Sequence, residues 1–213
     1  MASRSRPGEV EVISVHGLWN RGPELYFLRR NLERALGWPV RQYRYDTRNE
    51  DLAAAVAGLA DFAAGGGARV VHLVGHSLGG LVVLNALASR PMPPGRAVLL
   101  GSPVNGCAAL AGAARLPFGP RLVGGLLPQA MAGVPYAAPL DRDVGVIAGD
   151  LPLGIGRLVT RFRGPCDGTV TVAEAKLDGS PQYRVRASHT GLLFSGAAAR
   201  AAAAFLRSGR FVP

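Results

Sequence analysis

The sequence predicts an α/β fold with a mostly parallel central sheet of about six strands and helices on both faces. Strand-like and helix-like patterns alternate from one end of the chain to the other, which is the order that βαβ units produce. Short, fully apolar runs at 70–74 and 97–100 are typical of buried parallel strands. The 213 residues are 48% hydrophobic, which is sufficient for one sizeable core, so we expect a single domain over residues 1–213.

The predicted elements follow one another in chain order. The strands are expected where apolar residues alternate or run together, at 9–15, 40–45, 70–74, 97–100, 144–148 and 182–186. The helices are expected where apolar residues recur every three or four positions, at 24–36, 49–64, 81–88 and 195–207. Asn49 and Ser195 are the predicted N-caps of two of these helices.

The interval 103–143 is the least regular part of the chain. It is apolar and rich in Gly and Pro, with weak helical segments near 108–115 and 121–131. Two interpretations stay open: surface helices that cover the sheet, or a small cap or wall over an active site.

The net charge of +10 raises the question of a nucleic-acid partner. The cations are scattered along the chain without a basic block, and Lys176 is the only lysine. We therefore expect no nucleic-acid partner. A basic face that attracts an anionic lipid or substrate is the alternative.

Composition also bounds the compartment and the cofactors. No stretch is long and apolar enough to span a bilayer, and residues 1–8 lack the apolar core of a secretory signal. We expect a cytoplasmic protein without stable membrane insertion, either a monomer or a small homo-oligomer. Cys107 and Cys166 show no metal-binding spacing, so we interpret them as small buried hydrophobes. A disulfide between their loops is the less favoured alternative.

The residues 75–80 form a G-x-S-x-G pattern, between a predicted strand and a predicted helix. A serine on such a tight strand-to-helix turn holds its hydroxyl clear of the sheet, and the flanking glycines avoid collisions across the turn. The turn also places the serine at a helix N-terminus, where free N–H groups favour developing negative charge. Ser77 is therefore the candidate nucleophile.

A serine nucleophile needs a base, and the base needs an acid that orients it. In folds built around such an elbow the partners follow in the order serine, acid, histidine. Of the four histidines only His189 lies downstream of Ser77, in a loop between the last strand and the final helix. Asp167 is the favoured acid, because it lies in a Pro- and Gly-rich turn after a strand-like segment at 157–162. The alternative acids are Asp141, Asp143, Asp150, Glu174 and Asp178.

An oxyanion formed by attack on a carbonyl needs preorganised backbone N–H donors. One is expected from Leu78, the residue after the nucleophile, and the other from Leu18 in the loop after the first strand. Gly17 permits a close turn in that loop, and His16 is expected to shape it.

In these segments the chain resembles the α/β-hydrolases, and specifically the small bacterial lipases and esterases. The matching segments occur in order: the His16-Gly17 loop, the elbow, Gly101-Ser102-Pro103, the turn at 167–170 and the His189 loop. The resemblance implies Ser77, Asp167 and His189 as catalytic residues, with Leu18 and Leu78 as oxyanion donors. It also implies a compact member with little or no lid.

The expected activity is hydrolysis of a carboxylic ester, from a small-molecule or lipid-like substrate, through an acyl-enzyme on Ser77, without metal or cofactor. A thioesterase, amidase or acyltransferase with the same residues is the alternative, and a non-catalytic binding module is the least favoured one. The candidates for the acyl pocket are apolar residues that could instead belong to the core: Trp19, Leu126, Leu127, Met131 and Leu192.

Overall fold

The chain forms one parallel six-stranded sheet with the strand order β2-β1-β3-β4-β5-β6. The computed structural model describes residues 8–18, 23–47, 49–117, 119 and 141–211. The strands are β1 (Val10–Val15), β2 (Val40–Tyr43), β3 (Val70–His76), β4 (Ala97–Leu100), β5 (Val144–Gly149) and β6 (Gln182–Val185). This architecture confirms the predicted fold class.

Helices cover both faces of the sheet. They are α1 (Tyr26–Leu36), α2 (Leu52–Ala64), α3 (Leu78–Ser89), α4 (Ala108–Ala114), α5 (Gly156–Val159), α6 (Gly191–Phe194) and α7 (Gly196–Ser208), and a short 3-10 turn, Pro23–Leu25, precedes α1. Helices α1 and α7 pack together, as do α2 and α3. Successive side chains of a strand point to opposite faces, so Leu73 and Val74 enter different core clusters.

One of the two predicted helix caps was wrong and the other is confirmed. Asp51 caps α2, because its carboxylate accepts the backbone N–H three residues along at 2.7 Å. Asn49, the predicted cap, instead donates its side-chain amide to Asp46 at 2.6 Å in the preceding turn. The predicted cap Ser195 is confirmed, since its hydroxyl accepts the N–H of Ala198 at 3.2 Å.

The segment at 157–162, predicted as strand-like, is not a strand. It begins with the short helix α5 and continues as an irregular segment. The apolar pattern arises because Val159 and Phe162 pack on the core, while Leu158 is 85% exposed.

Of the irregular interval 103–143, residues 103–117, 119 and 141–143 are described. Helix α4 confirms the weak helical signal near 108–115. The second signal, at 121–131, lies outside the described residues, and so does most of the predicted cap or wall. Within the described ranges, no helix has both the length and the apolar character needed to cross a bilayer.

The sheet topology marks a position for a binding site at the carboxyl ends of β1 and β3. From β1 the chain moves outward to β2 and then returns to pair β3 on the other side of β1. In open parallel sheets, ligands bind beyond the carboxyl ends of the strands where the order reverses in this way. Here the loops after β1 and β3 meet at that position.

Candidate active site

Ser77 lies between the end of β3 and the start of α3, with φ 55° and ψ −124°. It is the only non-glycine residue with positive φ in the described part of the chain. Such backbone strain is retained only where the surrounding structure enforces it. The flanking glycines permit the turn, because a Cβ atom on Gly75 would collide with Gly80 and one on Gly79 would collide with the backbone of Val15.

His189 links Ser77 to Asp167. Its Nε2 lies 3.0 Å from Ser77 Oγ, and its Nδ1 lies 2.7 Å from Asp167 Oδ2. Because a carboxylate only accepts hydrogen bonds, Nδ1 carries the proton and Nε2 presents its lone pair to the serine hydroxyl. The three side chains that were predicted separately from the sequence are thus joined in series, with His189 within hydrogen-bonding distance of both Ser77 and Asp167.

The turn around Asp167 holds its carboxylate in place. Oδ1 accepts the backbone N–H groups of Thr169 at 2.9 Å and Val170 at 2.7 Å, which leaves Oδ2 for His189. The backbone N–H of His189 also donates to the carbonyl of Asp167 at 2.8 Å. The buried carboxylate is therefore fully hydrogen-bonded, and the loops of the acid and the base are joined by their main chains.

Gly101 directly follows β4 and lies against the side chains of Asp167 and His189. A Cβ atom there would lie 3.1 Å from Asp167 Oδ2 and 3.3 Å from His189 Nδ1, and the φ of Gly101 is 55°. The sequence contained this glycine in a matching segment, but only the structure shows its contact with the two side chains.

His76 holds the loop of the candidate base from below. Its Nε2 lies 3.1 Å from the backbone carbonyl oxygen of His189, so Nε2 is the protonated nitrogen. Burial, followed by the neighbouring His189, lowers the pKa of His76 to about 3, so this ring is neutral. Its Nδ1 has no hydrogen-bond partner among the described residues, as a ring with its single proton on Nε2 allows. The sequence gave no signal for this role.

The loop after β1 is shaped by His16, as predicted. His16 Nδ1 lies 3.0 Å from the carbonyl oxygen of Gly17, and its Nε2 accepts the backbone N–H of Tyr45 at 3.3 Å. The Tyr45 hydroxyl donates to the carbonyl of His16 at 2.8 Å, and the two rings are stacked. Burial lowers the pKa of His16, so it is expected to be neutral and to serve as a structural group.

The contact between His16 Nδ1 and the Gly17 carbonyl fixes the direction of the next peptide group. No cis peptide bond occurs in the described part, so the N–H of Leu18 points opposite to the Gly17 carbonyl and away from His16. A Cβ atom on Gly17 would lie 3.0 Å from Ser77 Cβ. Leu78 is the first residue of α3, where backbone N–H groups have no intrahelical partner. One candidate oxyanion donor, Leu18, thus lies in the loop beside Ser77, and the other, Leu78, lies at the first position of α3.

Four of the five alternative acids have other partners. Asp141 and Asp143 form ion pairs with Arg142 and Arg96 respectively. Glu174 accepts backbone N–H groups from Ala108 and Thr171, and Asp178 pairs with Lys176. Asp150 has one buried carboxylate oxygen without a partner among the described residues.

Of the candidate pocket residues, only Leu192 can be placed. It is fully buried in the same core cluster as Leu28 and Leu100, which agrees with the alternative that it is a core residue. Trp19, Leu126, Leu127 and Met131 lie outside the described residues.

Neither cysteine acts as part of a disulfide or a metal site in the described structure. Cys107 and Cys166 are both free and buried. Burial raises the pKa of the Cys107 thiol to about 12, so this group is not a thiolate nucleophile. No cluster of three or more potential metal ligands occurs among the residues that the structure describes.

The sequence matches the model of a family described as the alpha/beta hydrolase family over residues 12–211. No curated protein sequence matches the chain.

Solved structures with a similar fold include several bacterial proteins. The mature form of the Bacillus licheniformis lipase BlEst2 is 18% identical, with a TM-score of 0.73 over 91% of this chain and 90% of that one. An extracellular alpha/beta-hydrolase from a Paenibacillus species is 13% identical, with a TM-score of 0.64 over 96% of this chain and 100% of that one. Phospholipase PlaB from Legionella pneumophila is 18% identical, with a TM-score of 0.57 over 78% of this chain and 45% of that one. At these identities the likeness is one of fold.

Proposed function

The chain belongs to the alpha/beta hydrolase family, and from that premise we propose that it is a serine hydrolase that cleaves carboxylic esters through an acyl-enzyme on Ser77. The observation that carries the proposal is the chain of hydrogen bonds from Ser77 Oγ through His189 to Asp167 Oδ2, with lengths of 3.0 and 2.7 Å.

In the first half of the reaction, His189 Nε2 takes the proton of Ser77 as Oγ attacks the ester carbonyl. The proton on Nδ1 stays in its hydrogen bond to Asp167, whose negative charge stabilises the imidazolium that forms. The carbonyl oxygen becomes an oxyanion, and the backbone N–H groups of Leu18 and Leu78 are the proposed donors to it. His189 then gives its proton to the leaving alcohol, which produces the acyl-enzyme.

In the second half, a water molecule replaces the alcohol. His189 Nε2 removes a proton from the water as the water oxygen attacks the acyl carbon. The second oxyanion uses the same N–H donors. When it collapses, the bond between the acyl carbon and Ser77 Oγ breaks, His189 Nε2 returns its proton to Oγ, and the carboxylic acid is released. The strained turn at Ser77 supports this proposal, because it holds the backbone of the serine where Oγ lies 3.0 Å from His189 Nε2.

The test is hydrolysis of p-nitrophenyl esters over a range of acyl lengths, together with labelling by a fluorophosphonate probe. We expect Ser77→Ala to lower kcat by at least about 10⁴-fold and to abolish labelling. Ser89→Ala is the matched control, because Ser89 lies at the far end of α3, where its hydroxyl bonds the carbonyl of Asn85, and it should behave as wild type.

The outcomes separate the competing activities. Wild type that neither hydrolyses any ester nor becomes labelled contradicts the proposal and favours a non-catalytic module. Labelling at Ser77 without ester hydrolysis contradicts the ester assignment and directs the search to thioesters and amides. If an added alcohol receives the acyl group in preference to water, the protein is an acyltransferase.

A further inference from the structure

The segment at residues 152–163, between β5 and the Asp167 turn, exposes large aliphatic side chains. Leu153, Ile155 and Leu158 are 62%, 68% and 85% exposed. Single exposed apolar residues are ordinary on protein surfaces, but three within six residues form a patch that indicates an interaction surface. We call residues 152–163 the basic apolar segment.

The exposure does not result from a loosely attached loop. Gly154 and Gly156 lie so close to the backbone of Gly168 that a Cβ atom on either would collide with its carbonyl oxygen. On the inner side, Val159 and Phe162 pack against the core. The segment therefore has an anchored inner side and an apolar outer side, and it is fixed directly against the turn that holds Asp167.

The same segment carries unneutralised positive charge. Arg157, Arg161 and Arg163 are all exposed, and no acidic residue lies between Asp150 and Asp167. None of the three forms an ion pair with any described residue. The guanidinium of Arg157 donates to the backbone carbonyl of Pro152 at 3.1 Å. The described residues therefore supply no counter-charge to this patch.

We propose that the basic apolar segment docks the protein on an anionic lipid surface. Aliphatic side chains at the tip of a segment can enter the boundary between headgroups and acyl chains, while neighbouring arginines pair with lipid phosphates. The phosphates of a nucleic acid could pair with the arginines, but a nucleic acid would not bury the three exposed aliphatic side chains. Docking on this side brings the membrane next to the Asp167 turn, beside the candidate active site.

The test is co-sedimentation of the Ser77→Ala protein, which removes the candidate nucleophile, with vesicles of two compositions. Vesicles that contain phosphatidylglycerol and phosphatidylcholine should carry the protein down at low salt and release it at high salt, because the ionic part of the attraction is screened. Vesicles of phosphatidylcholine alone should not. This binding does not depend on catalysis, so it can hold or fail separately from the proposed hydrolase activity.

Two triple variants divide the apolar and ionic contributions. Arg157→Gln with Arg161→Gln and Arg163→Gln should weaken partitioning by about 100-fold, at on the order of fivefold per arginine. Leu153→Ser with Ile155→Ser and Leu158→Ser should weaken it by about tenfold or more. Since all six side chains are exposed, the thermal midpoint of unfolding should stay near that of the parent in both variants.

Matched controls test whether the location matters. Arg69, Arg90 and Arg210 are also exposed, and all three lie at the opposite end of the sheet. Their combined change to Gln alters the net charge equally and should leave binding intact. Any of three results overturns the proposal. The first is no binding to anionic vesicles, and the second is an equal loss of vesicle binding in the control arginine variant. The third is a dimer in solution that the triple variant with Leu153→Ser, Ile155→Ser and Leu158→Ser dissociates.

Discussion

Strand β3 carries two buried histidines, and they differ in what they hold. His72 is near the amino end of the strand, where its Nδ1 accepts the backbone N–H of Arg96 at 2.8 Å and its ring stacks on Trp38. His76 is at the carboxyl end, where its Nε2 donates to the carbonyl of His189 at 3.1 Å. Residues four apart on a strand share a face, so the two rings differ in partner rather than in orientation.

The comparison extends to the two ends of the sheet. At the amino end, polar contacts join secondary-structure elements, as when Arg96 bonds both Asp143 and the carbonyl of Leu206 at the end of α7. At the carboxyl end, polar contacts join loops around a strained serine. We therefore expect substitutions at the amino end to change stability and substitutions at the carboxyl end to change kcat.

The largest expected difference is between two aspartates on either side of β5. Asp167→Asn should lower kcat by about 10⁴-fold, because the amide nitrogen would face His189 Nδ1 and favour the wrong tautomer, while Oδ1 could still accept its two backbone N–H bonds. Asp143→Asn, at the amino end, should leave kcat within a few-fold of wild type. Steady-state kinetics on the best ester measures both. Equal losses in the two variants would contradict the contrast between the ends.

The centre of the sheet was predictable from sequence because burial on both faces makes β3, β4 and β5 short, mostly apolar runs. Both ends of each of the six strands lie within two residues of the predicted limits. The start of α2 was less readable, since Asn49 and Asp51 are both good capping residues and only the turn bonded to Asp46 decides between them. The pattern at 157–162 misled because one side of the segment is anchored and the other is exposed.

Part of the candidate site was predictable because the order of residues along the chain excluded the competing histidines. His189 was the only histidine downstream of Ser77, so its nomination required no spatial information. The role of His76 depends on a hydrogen bond to a residue 113 positions away, which no local pattern encodes. The contact of Gly101 with Asp167 and His189 likewise requires β4, the acid turn and the base loop to meet.

A direct comparison of the two β3 histidines gives an intermediate effect. His76→Leu removes the donor that holds the His189 carbonyl, so the base should lose its alignment and kcat should fall by about tenfold to 100-fold, with KM nearly unchanged. His76→Gln, which can present an N–H group at a similar position, should recover part of the loss. A purely structural role would lower the amount of folded protein and leave kcat per active site unchanged, which titration with the fluorophosphonate probe would reveal.

The matched variant at the other end should behave in the opposite way. His72→Leu leaves the buried N–H of Arg96 without its acceptor, so it should lower the free energy of unfolding by about 1–3 kcal/mol and keep kcat. Urea denaturation and the same kinetic assay provide the two values. If His72→Leu reduces kcat per active site as much as His76→Leu does, the division between the two ends of β3 is wrong.

The last expected effect is a pH dependence of stability that originates at the amino end. Burial, followed by the charge of Arg96, lowers the pKa of His72 from 6.5 to about 4. Between these values the unfolded chain binds a proton at this residue and the folded chain does not. The free energy of unfolding should therefore fall as the pH drops from about 6.5 to about 4, by at most about 1.4 kcal/mol per pH unit from this group.

His72→Gln should lower the free energy of unfolding at neutral pH, because it removes the ring that stacks on Trp38. It also removes the titration, so its free energy of unfolding should vary less than that of wild type between pH 6.5 and about 4. His76→Gln should also flatten the curve, but with its window reaching down to about 3, since burial lowers the pKa of His76 further. Urea denaturation at a series of pH values measures both curves. Parallel curves for wild type and His72→Gln would mean that His72 titrates alike in the folded and unfolded chain, and NMR titration of its ring in the wild type would then have to give a pKa near 6.5.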